Sequence, residues 1–197
     1  MFVFKYFANL TFNLQSGKNH LVVLEKELHL QTLKKPIYEY ANQLINKINN
    51  RVGNSYYNYV EEHKLLIECF CGETEIEDVF ELKNKIEVNL SQVPKFSILV
   101  DIQENTDKPY HKMNDAFIEF YSKSELTLKI DSIAIVTNTP NQVVNTILFI
   151  DDLKEVFDIP IRVFSSLEPA INWLHSDVSI DKIKSMLEDF KNTIVLK

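Results

Sequence analysis

Glycine is scarce in this chain: 3 in 197 residues, Gly17, Gly53 and Gly72. A phosphate cradle of the Walker or dinucleotide-binding type needs several closely spaced glycines, so both are excluded. Arginine is scarcer still, with Arg51 and Arg162 against 19 lysines. Nucleic-acid readers use basic clusters and forked arginine contacts to phosphate, and neither occurs. The net charge of −7 points the same way. Two cysteines, Cys69 and Cys71, do not make a disulfide framework. No apolar run approaches the length of a membrane-spanning helix. No G-x-S-x-G or H-E-x-x-H motif is present, and the five histidines are scattered. No catalytic residue, metal site or cofactor is therefore expected.

What remains is an ordinary globular composition, 45% hydrophobic and 25% charged. The charge is uneven. Residues 1–53 carry a net +4 and residues 54–197 a net −11. The aromatic start of the chain, MFVFKYFANLTFNL, is interrupted by Lys5 and followed by no Ala-x-Ala site, which argues against a signal peptide. A cytoplasmic chain with reduced cysteines is expected.

Residues 37–48 place Ile37, Tyr40, Ala41, Leu44, Ile45 and Ile48 on one helical face. A weaker alternation suggests a hairpin over residues 2–31. Arg51 to Ser55 reads as a linker, which divides the chain into an extension (1–53), a main domain (54–175) and a C-terminal helix (176–197). Residues 56–61 and 64–71 read as two strands with a tight turn at Glu62-His63. Further buried strands are expected at 96–102, 132–137 and 159–164, because nearly continuous apolar runs mark strands covered on both faces. Helical spacing connects them over 76–90, 113–126 and 140–157, with Lys83 the only polar break in the first. Thr74-x-x-Glu77, Thr139-x-x-Gln142 and Ser165-x-x-Glu168 are capping boxes in sequence. A short helix with Ala170 and Trp173 precedes the last one, where Ile180, Ile183, Leu187 and Phe190 form a stripe. Alternating strands and helices predict an α/β fold: a mixed, mainly parallel sheet of about five strands, opened by an antiparallel hairpin and covered by helices. The two amphipathic helices, 36–49 and 179–192, must each bury a stripe on this domain or on a second copy, so a homodimer is one option.

Residues of about 56–175 resemble the SpoIIAA-like group of the STAS superfamily, sometimes described jointly with CRAL-TRIO-type lipid-transfer domains. The resemblance is carried by Leu66-Ile-Glu-Cys-Phe-Cys-Gly72, Phe96-Ser-Ile-Leu-Val-Asp101, and Ile133-Ala-Ile-Val136 running through Thr137-Asn-Thr-Pro140. The most specific stretch is Ile161-Arg-Val-Phe164 with Ser165-Ser-Leu-Glu-Pro-Ala170 and Trp173-Leu174. It implies a small α/β domain of a group mostly without an assigned activity, whose best-known members are anti-sigma-factor antagonists. The phosphorylatable Asp-Ser-Ser-Gly turn of its anti-sigma-factor antagonists is missing, because the chain reads Asp101-Ile-Gln-Glu-Asn-Thr106 there.

Open parallel sheets bind ligands at the carboxyl ends of their strands. Asp101, Asn138 and Thr139 lie at such ends and form the expected pocket rim. Thr106, the one hydroxyl between Asp101 and Pro109, joins them as a candidate ligand contact. His111 is the only imidazole near this loop, with no nucleophile beside it. The leading expectation is a non-enzymatic module for an unidentified protein partner. The alternative is a module for a small apolar molecule or lipid. A sizeable apolar cavity in the fold discriminates between them.

Overall fold

A computed structural model describes residues 50–106, 114–154 and 156–194. The expected helix 36–49, the hairpin over 2–31 and His111 lie outside those residues. Six strands form one sheet in strict chain order: β1 (Arg51–Val52), β2 (Ser55–Val60), β3 (Leu65–Phe70), β4 (Phe96–Asp101), β5 (Ile130–Val136) and β6 (Ile161–Phe164). β1, β2 and β3 are antiparallel, whereas β3 to β6 are parallel. The mixed sheet with an opening hairpin is the expected α/β fold, with one strand more than expected.

The additional strand corrects the linker reading of residues 51–55. Arg51 pairs with Tyr56 and Val52 with Ser55 around Gly53-Asn54. Gly53 has φ +53°, in the left-handed region, and a Cβ there would run into the Asp78 carboxylate. A turn this tight needs glycine. The next turn, Glu61–His63, closes β2 onto β3 as expected, with Lys64 in the left-handed region at φ 47°.

Three helices carry the chain between the parallel strands: α1 (Ile76–Asn89), α2 (Asn114–Lys123) and α3 (Pro140–Lys154). Each new strand is added on the same side of the last. Right-handed crossovers in one direction put every connection on one face. Accordingly α1, α2 and α3 share a core with Leu66, Ile98, Ile133 and Ile135. The opposite face falls to the chain after β6, where α4 (Leu167–Trp173) and α5 (Ile180–Ile194) cover Leu65, Ile67, Leu99 and Ala134. Strand side chains alternate between faces, and both faces are covered, so β3 reads as an apolar run broken only by Glu68. α5 docks by its predicted stripe: Ile183, Leu187 and Phe190 are buried, and Phe190 stacks on Tyr56 with ring centroids 4.5 Å apart.

The three capping boxes fare differently. At α3, the Gln142 N–H donates to Thr139 Oγ1 at 3.1 Å and the Thr139 N–H donates to Gln142 Oε1 at 3.2 Å, the reciprocal pair expected. At α1 the helix starts later, at Ile76, and Thr74 is outside it. Its hydroxyl instead accepts from Asn105 Nδ2 at 3.0 Å. At α4 the cap position is Ser166, whose side chain makes no capping bond.

Candidate functional site

Between the sheet and α1–α3 lies a cavity of about 130 Å³. Its walls are apolar: Ile98, Val100 and Ile135 from the strands, Val79 from α1, Phe117 from α2 and Phe149 from α3. Thr74, Asn105, Thr106 and Asn145 supply polar atoms around it. Glu68, Lys83 and Tyr121 also line it.

Those last three form a buried polar set. Glu68 occupies the strand position that faces the crossover helices. Lys83 sits on the inward stripe of α1, among Val79, Leu82 and Ile86. Nζ of Lys83 donates to both Oε1 and Oε2 of Glu68, each at 2.6 Å, and the two residues are only 5% and 1% exposed. The ammonium also lies 5.6 Å from the centre of the Tyr121 ring. Burial works against the charge on Lys83. The Glu68 carboxylate and Tyr121 outweigh it and hold the ammonium above its ordinary pKa. Burial pushes the Tyr121 phenol up, against the pull of Lys83, so it stays neutral. A lysine must shed its proton to attack a carbonyl. Lys83 is held in the opposite state, suited to recognising a polar or anionic group.

Of the residues expected at the site, Thr106 lines this cavity. Asp101 does not. It pairs in register with Cys69, on the face covered by α5, and its electrostatic neighbours there are Lys191 and Glu104. Its Oδ1 accepts from the Gln103 N–H at 3.0 Å, while Oδ2 is buried without a hydrogen-bond partner. Asn138 is exposed, and its N–H donates to Gln142 Oε1 at 2.7 Å. Thr139 caps α3. Gln142, 2% exposed, draws these strand ends together, because its Nε2 also donates to the Ile102 and Asn105 carbonyls at 2.8 and 3.0 Å. Asp101 is thus separated by the sheet from Thr106, and Asn138 and Thr139 serve the cap.

Sequence reasoning missed Glu68 and Lys83. The available signal was two charges of opposite sign, each interrupting an apolar face. Among the described residues no group of His, Cys, Asp and Glu has the arrangement of a metal site, and no helix is long and apolar enough to cross a membrane.

No family model matches the chain, and no curated protein matches it. One similar solved structure is an uncharacterised protein of the DUF3478 family with a SpoIIAA-like fold, from Shewanella loihica PV-4. It is 16% identical, covers 61% of this chain and 94% of its own, and superposes with a TM-score of 0.46. Its fold name is the one that the resemblance of residues 56–175 carries.

Proposed function

We propose that this domain binds a small, mostly apolar molecule with one polar end, held between the sheet and α1–α3. The observation that carries this reading is the cavity itself: apolar walls meeting a charged Lys83 and a neutral Tyr121. An apolar cavity of roughly 150 Å³ admits a benzene ring, so a cavity of about 130 Å³ fits a ligand core of similar size. The polar lining residues orient the other end. The reading is binding rather than turnover, because among the described residues no activated nucleophile faces the cavity.

The test uses the full chain and a panel of phenol, benzoate and indole, followed by ligand-observed NMR and thermal shift. Saturable binding that disappears in Val100→Phe, a variant that fills the cavity from β4, supports the reading. No saturable binding to the native chain, or equal binding to the filled variant, refutes it.

A second reading, the protein-interaction module, rests on the outer face of α3. Val144, Ile147 and Leu148 are 56%, 45% and 47% exposed at helical spacing. Sedimentation equilibrium addresses its homodimer form: a mass that rises with concentration supports it, and a constant monomer removes it.

A further inference from the structure

The two cysteines lie on the opposite face of the sheet from the cavity and take no part in the proposed binding. Their sulfur atoms are 3.4 Å apart, in thiol–thiol hydrogen-bond contact. A disulfide bond is about 2.05 Å long, so the gap between the sulfurs is little more than an ångström. Cys69 is in β3, held between Tyr56 and Asp101 on the neighbouring strands. Cys71 lies one residue past the end of β3 and is followed by Gly72 at φ +60°. Beyond the β3 ladder the chain is still tied, Cys71 N–H to the Asn54 carbonyl at 3.1 Å and Gly72 by a bridge to Asn105, so closing the gap falls mainly to the two side chains. Residues two apart on an ideal strand leave a bridge strained, and a strained disulfide is the readily reduced kind.

The two thiols are also electrostatically unequal. Their hydrogen bond holds Cys71 below the ordinary thiol value, against its burial and the Glu104 and Asp101 carboxylates, with Lys191 adding to the lowering. The same pairing pushes Cys69 up, and burial pushes it further. Cys71 is thus the more readily ionised thiol of the pair. Cys71 is 7% exposed and Cys69 1%, so a small oxidant reaches Cys71 first.

We propose that Cys69 and Cys71 form a reversible intrachain disulfide, a peroxide-modifiable dithiol, with Cys71 as the attacking sulfur and Cys69 as the resolving one. The oxidant is hydrogen peroxide, whose size suits a nearly buried thiolate. In the first step the Cys71 thiolate attacks one peroxide oxygen. The O–O bond breaks, hydroxide leaves, and Cys71 becomes a sulfenic acid. In the second step the Cys69 sulfur attacks the Cys71 sulfur. Its thiol proton and the sulfenic oxygen depart as water. In sum, two thiols lose two hydrogens and one peroxide becomes two waters.

The experiment treats the full, folded chain with peroxide and then counts free thiols by alkylation and intact mass. With only two cysteines in the sequence, any intrachain disulfide is this one. The expected result is loss of both thiols together, no added oxygen, and full recovery with dithiothreitol. In Cys69→Ser the reaction stops at a sulfenic acid on Cys71 that dimedone labels, and in Cys71→Ser the remaining thiol reacts more slowly. Sulfinic acid as the end product of the native chain overturns the proposal. So does a disulfide between chains, or survival of both thiols under conditions that oxidise a free-cysteine peptide. The native-chain result stands whether or not either variant folds.

Discussion

Replacing Lys83 by methionine removes a charge while keeping nearly the same length of side chain. Glu68 is then left 1% exposed with its carboxylate stripped of the group that contacts both oxygens at 2.6 Å. Breaking a buried pair from one side costs about 3–5 kcal/mol, because the remaining charge is neither hydrated nor compensated. That is a fifth or more of the stability of an ordinary domain, about 5–15 kcal/mol. Urea unfolding, followed by circular dichroism and by the fluorescence of Trp173, reads the loss as a lower midpoint at unchanged slope. The double variant Glu68→Leu/Lys83→Met is the control. It removes both charges and recovers most of the loss, since well-packed apolar replacements of a buried pair are often neutral or better. A loss below about 1 kcal/mol in Lys83→Met would mean that solvent reaches Glu68. A double variant as unstable as the single one would assign the effect to packing of the lysine stem instead. Either result would refute the account of the pair given above.

Two other perturbations address the strand ends. Burial raises the Asp101 carboxyl above its ordinary value of 3.8. A folded pKa above the unfolded one means that the folded state binds the extra proton. Asp101 therefore contributes stability below the unfolded pKa and loses it as the pH rises through the folded one. In Asp101→Asn the difference in urea midpoint from the native chain should shift in the variant's favour as the pH rises from about 4, and a pH-independent difference would contradict the buried, unpartnered Oδ2. Gln142→Leu strands two backbone N–H groups and two carbonyls that Gln142 now satisfies. The expected loss is about 3 kcal/mol or more by urea unfolding, against about 1 kcal/mol for removing the Thr139 cap with alanine.

Most of the architecture was legible because burial on two faces leaves a plain mark. Leu65 to Phe70 and Phe96 to Asp101 read as strands from their apolar runs, and the stripe of α5 gave its buried residues directly. Capping shows where local reading ends. Thr74-x-x-Glu77 and Thr139-x-x-Gln142 are equivalent as strings, yet only the second forms its box. The hydroxyl of Thr74 is taken by Asn105, 31 residues away, and that competition is invisible to a four-residue window. The site was less legible for a related reason. Glu68 and Lys83 are 15 residues apart, and each alone looks like an exception on an apolar surface. Their pairing depends on how α1 lies across β3, which periodicity does not specify. Asp101 was placed at a pocket rim because it ends a strand. The face that it occupies follows from register with Cys69 and from which crossover helices cover which side.

The two faces of the sheet also differ in what they sacrifice. Beneath α4 and α5 the core is filled by aliphatic, aromatic and thiol side chains, apart from the buried Asp101 carboxyl. Beneath α1–α3 it holds a cavity of about 130 Å³ and a buried ion pair. The cavity is partly open to solvent, so its cost lies below the roughly 3 kcal/mol that about 24 cal/mol per Å³ gives a fully enclosed void of that size. The pair adds the desolvation of two charges, which apolar residues would avoid. Selection for folding alone would replace Val100 with a larger side chain and the pair with leucine and methionine. Both features therefore point to a requirement other than stability. A ligand that fills the space and contacts Lys83 or Tyr121 supplies that requirement. On this account Val100→Phe gives up binding while holding or raising the urea midpoint, whereas a residue that merely packs would lower the midpoint when enlarged.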